Sequence, residues 1–390
     1  MSWETIDGVE AVMTAKIEST SGTDSNPAIG TDDSPWEEFE WDLDVDVRKR
    51  RVISPHEPGS RHSIGRVTAK WSAKQTLQLR QITAGDATDA PSIHLAAKIA
   101  GFDHQGDVIS DRLHTYFLNR KGATTATLRI NRAFNGANNF NIAEILGALC
   151  DFELSIVAGE PWMFMLTDGF GLAQPAASMF AQGGAALNTA YVHLSENDVR
   201  ADANVVRVYA LESSPVLYGG GSLGTPNQTV DLMSLKVKGN RKLSTQKTVG
   251  GAFGVKRVRP DNNESPQATF TLEATGYSDF NPFKYLLNAT PLYIGVDGVA
   301  PGDTELTARV GLYCQLTNVS EGGNVDGRQS WDCEADLIWP ADVSDNDPAA
   351  GEYPSQAWGA ATGLGLISAT GVTAPAGSLM FIQVHDSTAP

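Results

Sequence analysis

Phe39, Trp41, Leu43, Val45 and Val47 alternate strictly with Glu38, Glu40, Asp42, Asp44 and Asp46. No other stretch constrains the fold so tightly. A period of two puts successive side chains on opposite faces of an extended strand, so this segment has one apolar face and one wet, acidic face. Arg48-Lys49-Arg50-Arg51 is expected to end the strand, and Ser54 to Ser63, with Pro55, Pro58 and Gly59, reads as a loop. A second alternating run then places Val67, Ala69, Trp71, Ala73, Gln75, Leu77 and Leu79 on one side. At about 3.3 Å per residue such a strand reaches beyond a small sheet.

The rest of the chain keeps this β character. Among 390 residues, 38 glycines and 19 prolines imply many turns rather than long helices. Apolar residues make up 41%, enough for a substantial core. Ser19 to Pro35 reads as an arm or loop. Strands are expected at Arg112–Asn119, Thr125–Asn131, Cys150–Val157 and Pro161–Thr167, the last two joined by the turn Ala158-Gly159-Glu160. Pro91 to Gly101 reads as a short helix, with Pro near its start and Gly just past its end. Residues 171–228 are low in charge and read as a connection carrying one or two strands, such as Val205 to Leu211.

The pattern then starts again. Leu235, Val237 and Gly239 alternate with Lys236 and Lys238 and lead into Arg241-Lys242. Ala268, Phe270, Leu272 and Ala274 mark a second alternating strand, and Asn281 to Leu287 a short helix beginning at Pro282. Leu306–Val319 and Gln329–Trp339 form a closing hairpin around the turn Glu321 to Gly327. The recurrence of strand, basic turn, long strand, helix and hairpin reads as an internal duplication. After Pro340 the composition shifts. Leu379-Met380-Phe381-Ile382 is the clear apolar run there, either a strand that docks on a neighbour or a small surface appendage.

The charge balance is acidic, with a formal net charge of -17, which argues against stable nucleic-acid binding. The N-terminus lacks the basic and apolar regions of a secretory signal, and no stretch of about 18 apolar residues offers a membrane span. Cys150, Cys314 and Cys333 are too few for a disulfide framework or a zinc site. Cys314 and Cys333 sit almost symmetrically about Gly323, so they could face each other across a hairpin; two reduced, buried thiols are expected.

No motif carries chemistry well. Gly219 to Gly224 fits the letters of a dinucleotide fingerprint, but Pro226 and Asn227 follow where a helix is needed, so it reads as a loop. The acids Glu38, Glu40, Asp42, Asp44 and Asp46 lie about 7 Å apart along one face, too far for neighbours to grip one ion. They read as a solvated face, or more sharply as a wall that repels DNA. Lys236 and Lys238 occupy the matching face of the second unit, and pairing with acids of an adjacent subunit is one expectation for them. Asp261 to Glu264 and Asp345 to Asp347 lack a full calcium loop. The histidines show no His-Glu-x-x-His spacing, and there is no Gly-x-Ser-x-Gly elbow. No catalytic residue, cofactor or metal is therefore assigned.

The order of these elements resembles the phage major tail tube protein family of long non-contractile tails. The resemblance is carried by the long strand pair Phe39–Val47 and Val67–Leu79 with the loop Ser54–Ser63, by the helix Pro91–Gly101, and by Gly147-Ala148-Leu149-Cys150 leading into Phe152–Thr167. It is carried again by Leu235 to Asn240 and by the turn Asn324-Val325-Asp326-Gly327. The implied organisation is an arm at 1–34, a first tail-tube-like unit at 35–170, a connection at 171–228, a second unit at 229–340 and an extension at 341–390. The implied fold is mainly β, two tandem β-barrel or sandwich units that complete a ring by sheet pairing between subunits. The implied role is structural and non-enzymatic: stacked rings in a virion tail, meeting other tail proteins, with DNA passing through unbound and no membrane involved. Two units per chain imply a trimeric ring with pseudo-six-fold symmetry rather than a hexamer. The candidate lumen or inter-subunit face is Glu38, Glu40, Asp42, Asp44, Asp46, Lys236 and Lys238. The candidate inter-ring contacts are Arg48, Lys49, Arg50, Arg51, Pro55, His56 and Pro58. The alternative is a surface carbohydrate-binding or adhesin-like β-protein of a virion, for which clustered exposed aromatics would be expected.

Overall fold

The computed structural model describes residues 11–28, 32, 34, 36–52, 59–77, 81–84, 87–91, 93–105, 113–118, 124–134, 138–173, 182–183, 200–210, 228–229, 231–247, 255–261, 264–274, 280–300, 303–323, 329–338 and 379–386. In chain order, β1 (Ala11–Ile17) precedes the long pair β2 (Glu38–Val52) and β3 (Gly59–Thr76). The short hairpin β4 (Gln81–Ala84) and β5 (Ala87–Pro91) leads to helix α1 (Ile93–Ile99), β6 (Phe102–Gln105) and β7 (Leu113–Leu118). A meander follows in β8 (Ala126–Phe134), β9 (Asn138–Val157) and β10 (Met163–Ala173). Then come β11 (Gln182–Gly183), β12 (Arg200–Ala210), β13 (Gln228–Thr229), β14 (Leu232–Lys238), β15 (Lys242–Lys247), β16 (Val255–Asp261) and β17 (Gln267–Glu273). Helix α2 (Pro282–Leu287), β18 (Pro291–Ala300), β19 (Asp303–Glu321), β20 (Ser330–Leu337) and β21 (Met380–Asp386) complete the order.

The fold is mainly β, and one 17-stranded antiparallel sheet dominates it. Two runs of strands share the same neighbour order. The first is β1–β8–β9–β10–β3–β2, and the second is β12–β18–β19–β20–β17–β14. They meet where β14 pairs with β9, from Ser234↔Val157 to Lys238↔Glu153. A second link runs through β21, which pairs with β7 on one edge and β19 on the other. One continuous core lies beneath. Phe102 of β6 packs against the rings of Phe152 and Phe164 in the first run, and Phe270, Trp331 and Cys333 are buried in the second.

Several expectations are corrected. The sheet is not closed into a barrel: among the described residues β2 pairs on one edge only, while β1 pairs with β8 and bonds on its other edge to the backbone of Asp32 and Ser34. The basic run does not end β2. Arg48, Lys49, Arg50 and Arg51 stay in the ladder opposite Ser63, His62, Arg61 and Ser60, because ladder hydrogen bonds belong to the backbone and continue wherever a partner strand continues. The loop between β2 and β3 is correspondingly shorter than Ser54–Ser63; Pro55, His56 and Pro58 lie outside the described residues. The arm contributes β1, which pairs with β8. The apolar run after Leu379 docks as a strand inside its own chain.

The short helices follow their local signals. In α2 the Asn281 side chain accepts the Lys284 N–H at 3.0 Å, with Pro282 next to it at the first helical turn. Helix α1 starts two residues after Pro91, which belongs to β5 instead, and Gly101 follows it at φ 96, a left-handed stop that suits glycine.

Candidate assembly edges

The seam between the two runs is built from alternating side chains. Leu235 and Val237 of β14 point into the core and are fully buried. Lys236 and Lys238 point the other way and place their ammonium groups 2.5 and 3.6 Å from the Glu153 carboxylate on β9. These lysines thus meet an acid of their own chain. Glu153 is 8% exposed, so the lysines compensate a carboxylate that is largely removed from water.

The matching strand of the first run, β2, presents a different picture. Glu38, Glu40 and Asp42 are exposed. Their cross-strand partners on β3 are Lys74, Ser72 and Lys70, and Lys74 reaches Glu38 at 3.4 Å. The backbone of Asp44 lies opposite Thr68, and Asp46 falls at the register shift between Val45 and Val47. On the apolar side Phe39, Trp41 and Leu43 are only partly buried, and Trp36, Phe39 and Trp71 stack within 5.7–6.2 Å. A cleft of about 750 Å³ adjoins this face. It holds the carboxylates Glu40, Asp42 and Asp168 together with the cations Lys70, Arg241 and Lys242.

Arg241 anchors the far end of the seam. Arg241 is 5% exposed, and its guanidinium donates to the carbonyls of Ile99 and Cys150 at 3.2 and 3.3 Å. Gly101 makes room for it: a Cβ there would lie 2.9 Å from Nη1. Burial pushes the neighbouring Asp151 carboxyl up to about 6, against the pull of the Arg241 backbone N–H and guanidinium charge.

Three histidines missed by motif searching come together beside α1. His104 Nε2 and His114 Nδ1 lie 3.0 Å apart, and His94 Nδ1 lies 3.2 Å from the Tyr116 hydroxyl. Burial lowers His94 to about 3, helped by the proximity of His104, Lys98 and His114. Burial likewise lowers His104 to about 4, helped by His114 and Lys98. Among the described residues no group of His, Cys, Asp or Glu has the geometry to hold a metal ion. Cys314 and Cys333 do not oppose each other: Cys314 lies across from Leu337 and Cys333 across from Val319. Both are free and buried, and burial pushes Cys333 up to about 12 and Cys314 further in the same direction. The glycine-rich segment 219–224 and Asp345 to Asp347 lie outside the described residues.

These features define an antiparallel β-protein with charged clusters along its strands. No protein-family model matches the chain, and no curated protein matches it. Among the described residues no helix is long and apolar enough to cross a membrane.

Proposed function

We propose that this chain is a self-assembling structural subunit of a phage tail tube, with two tail-tube-like units in tandem and no catalytic role. The observation that carries the reading is the repeated strand order, joined edge to edge through β14 and β9. A sheet built that way extends by adding the same kind of joint, and an extended sheet loses its exposed edges only by closing on itself. Two units per chain make three chains a ring of six similar parts. The long hairpin of β2 and β3, with its basic run, is placed to reach a neighbouring ring. The net charge of -17 suits a channel that DNA slides through without sticking.

Electron microscopy and native mass measurement of the purified chain test this. Rings or tubes with three chains per ring are expected. Six chains per ring overturn the tandem reading. A persistent monomer, with the amides of β2 and of the far end of β19 already protected from exchange, overturns assembly altogether.

A further inference from the structure

We infer that copies join where β2 of one meets the far end of β19 of the next, in the register that β14 holds on β9, and that reversed charges make this joint dependent on ionic strength. The inference rests on the assembly reading above and adds the edge, the register and the control.

The register follows from matching the two runs. The row Phe39–Ala73–Leu166–Phe152 corresponds to Leu235–Phe270–Cys333–Val319. Glu40 and Asp42 then stand where Lys236 and Lys238 stand, and Ser320 stands where Glu153 stands. The pair Lys238↔Glu153 becomes Asp42↔Ser320 between copies, with Trp41 opposite Glu321. Among the described residues no strand pairs with the free edge of β2 or with that edge of β19 beyond Gln315, and helix α2 packs beside β19. β8 covers β9 only up to the pair Ala126↔Ala148, and β18 covers β19 only up to Pro291↔Gln315. Beyond these points β9 carries β14, whereas among the described residues β19 carries no strand on that edge.

Burial agrees independently. Leu235 and Val237, which sit in the joint within the chain, are 0% exposed, whereas Phe39, Trp41 and Leu43 are only partly covered. A strand whose apolar row is half in water gains most from a partner that extends the sheet over it.

The charges oppose the fit. Within the chain two lysines face Glu153. Between copies Glu40 and Asp42 approach Asp332, which lies across from Ser320 on β20, while Glu321, opposite Trp41, falls on the other face. Lys70 and Lys74 sit on the β3 side of β2, where they already face Asp42 and Glu38, and Arg241 and Lys242 line the cleft that Glu40 and Asp42 share. Backbone pairing and apolar cover favour joining while carboxylates resist it. Salt tips that balance, because the screening length falls from about 10 Å at 0.1 M to about 3 Å at 1 M.

The test uses the full chain carrying both Asp42→Cys and Ser320→Cys, oxidised at rising salt. Opposed residues on antiparallel strands lie roughly 4.5–5.5 Å apart, within disulfide reach. A ladder of disulfide-linked multimers is expected, lengthening with salt, with none from either single variant. Assembly seen by light scattering without a ladder overturns this joint and leaves the assembly reading standing. Absence of both at every salt concentration overturns the two together. The charge argument has its own variant, Glu40→Lys with Asp42→Lys, which copies the lysine pattern of β14. With its circular dichroism unchanged, its assembly midpoint is expected at a salt concentration at least about threefold lower. An unmoved midpoint overturns the charge control.

Discussion

Lys236 on β14 holds its ammonium 2.5 Å from the Glu153 carboxylate on β9, 83 residues back along the chain, and Lys238 shares the same acid. This cluster is the polar half of the joint between the two strand runs. The side chains of Lys236 and Lys238 are 43% and 53% exposed while that of Glu153 is 10% exposed, so water screens much of the attraction. A double-mutant cycle of Glu153→Gln with Lys236→Met, read by urea denaturation, is expected to give a coupling of about 1 kcal/mol that shrinks in high salt. A coupling near zero would leave the backbone ladder as the joint's only specific element.

Glu18 makes a denser knot. Its carboxylate accepts the N–H of Gly22 and the hydroxyl of Thr125 at 2.6 Å, the N–H of Gly147 at 2.8 Å and the hydroxyl of Thr127 at 3.0 Å. It thereby ties the turn after β1 to the start of β8 and the middle of β9. Glu18→Ala strands buried donors and is expected to cost about 3 kcal/mol or more, whereas Glu18→Gln keeps an acceptor and costs roughly 1–2 kcal/mol. Denaturation midpoints measure both, and faster hydrogen exchange at Gly147 would locate the damage. Equal costs for the two variants would mean that shape, not hydrogen bonding, matters there.

The buried histidines make acid the chain's weak side. Their folded pKa values, about 3 for His94 and about 4 for His104, lie below the ordinary 6.5. The unfolded chain therefore binds more protons, and stability present above pH 6.5 is lost as pH falls toward those values. Asp151, raised to about 6, acts oppositely between about 6 and its ordinary 3.8, since there the folded form binds the extra proton. At about 1.4 kcal/mol per unit, moving from pH 7.5 to 5 costs about 4 kcal/mol at the histidines and returns about 1.4 at Asp151, a net loss of roughly 2–3 kcal/mol. Urea titrations at the two pH values check this. The double variant His94→Gln, His104→Gln is expected to flatten the acid slope, and an unchanged slope would assign it to other groups.

How legible the fold was depended on whether a signal was local. The alternation in β2 and β3, the turn at Gly159 between β9 and β10, and the Asn281-Pro282 start of α2 all act within a few residues, and each marks a real element. Strand ends were less legible. β2 passes through Arg48 to Arg51 because β3 continues opposite it, which is information carried by another segment. β15 and β16 pair with each other through polar residues such as Ser244 opposite Arg259, so no apolar pattern announces them. Long-range contacts left little trace at all. His94, His104 and His114 recur every ten residues without metal spacing, and only the pairing of β6 with β7 gathers them. The acids of β2 and the lysines of β14 were readable as matching faces; that Glu153 already engages the lysines required the register of β14 on β9.

Gly239 tests that register most directly. Its N–H donates to the Phe152 carbonyl at 3.0 Å, so it closes the joint one residue past Lys238. A Cβ there would overlap Asp151 Oδ1 and lie 2.8 Å from Phe152 Cε1. Neither neighbour has room to retreat, since Asp151 is 6% and Phe152 1% exposed. Gly239→Ala is therefore expected to cost about 1–3 kcal/mol by overpacking, although alanine is no worse than glycine in most strands. Adding Asp151→Ala clears the nearer obstruction. Because burial already disfavours the Asp151 charge, that second change is expected to restore more than half of the loss in thermal or urea denaturation. If Gly239→Ala proves silent, the two strands do not approach this closely, and the register proposed for the joint between copies falls with it.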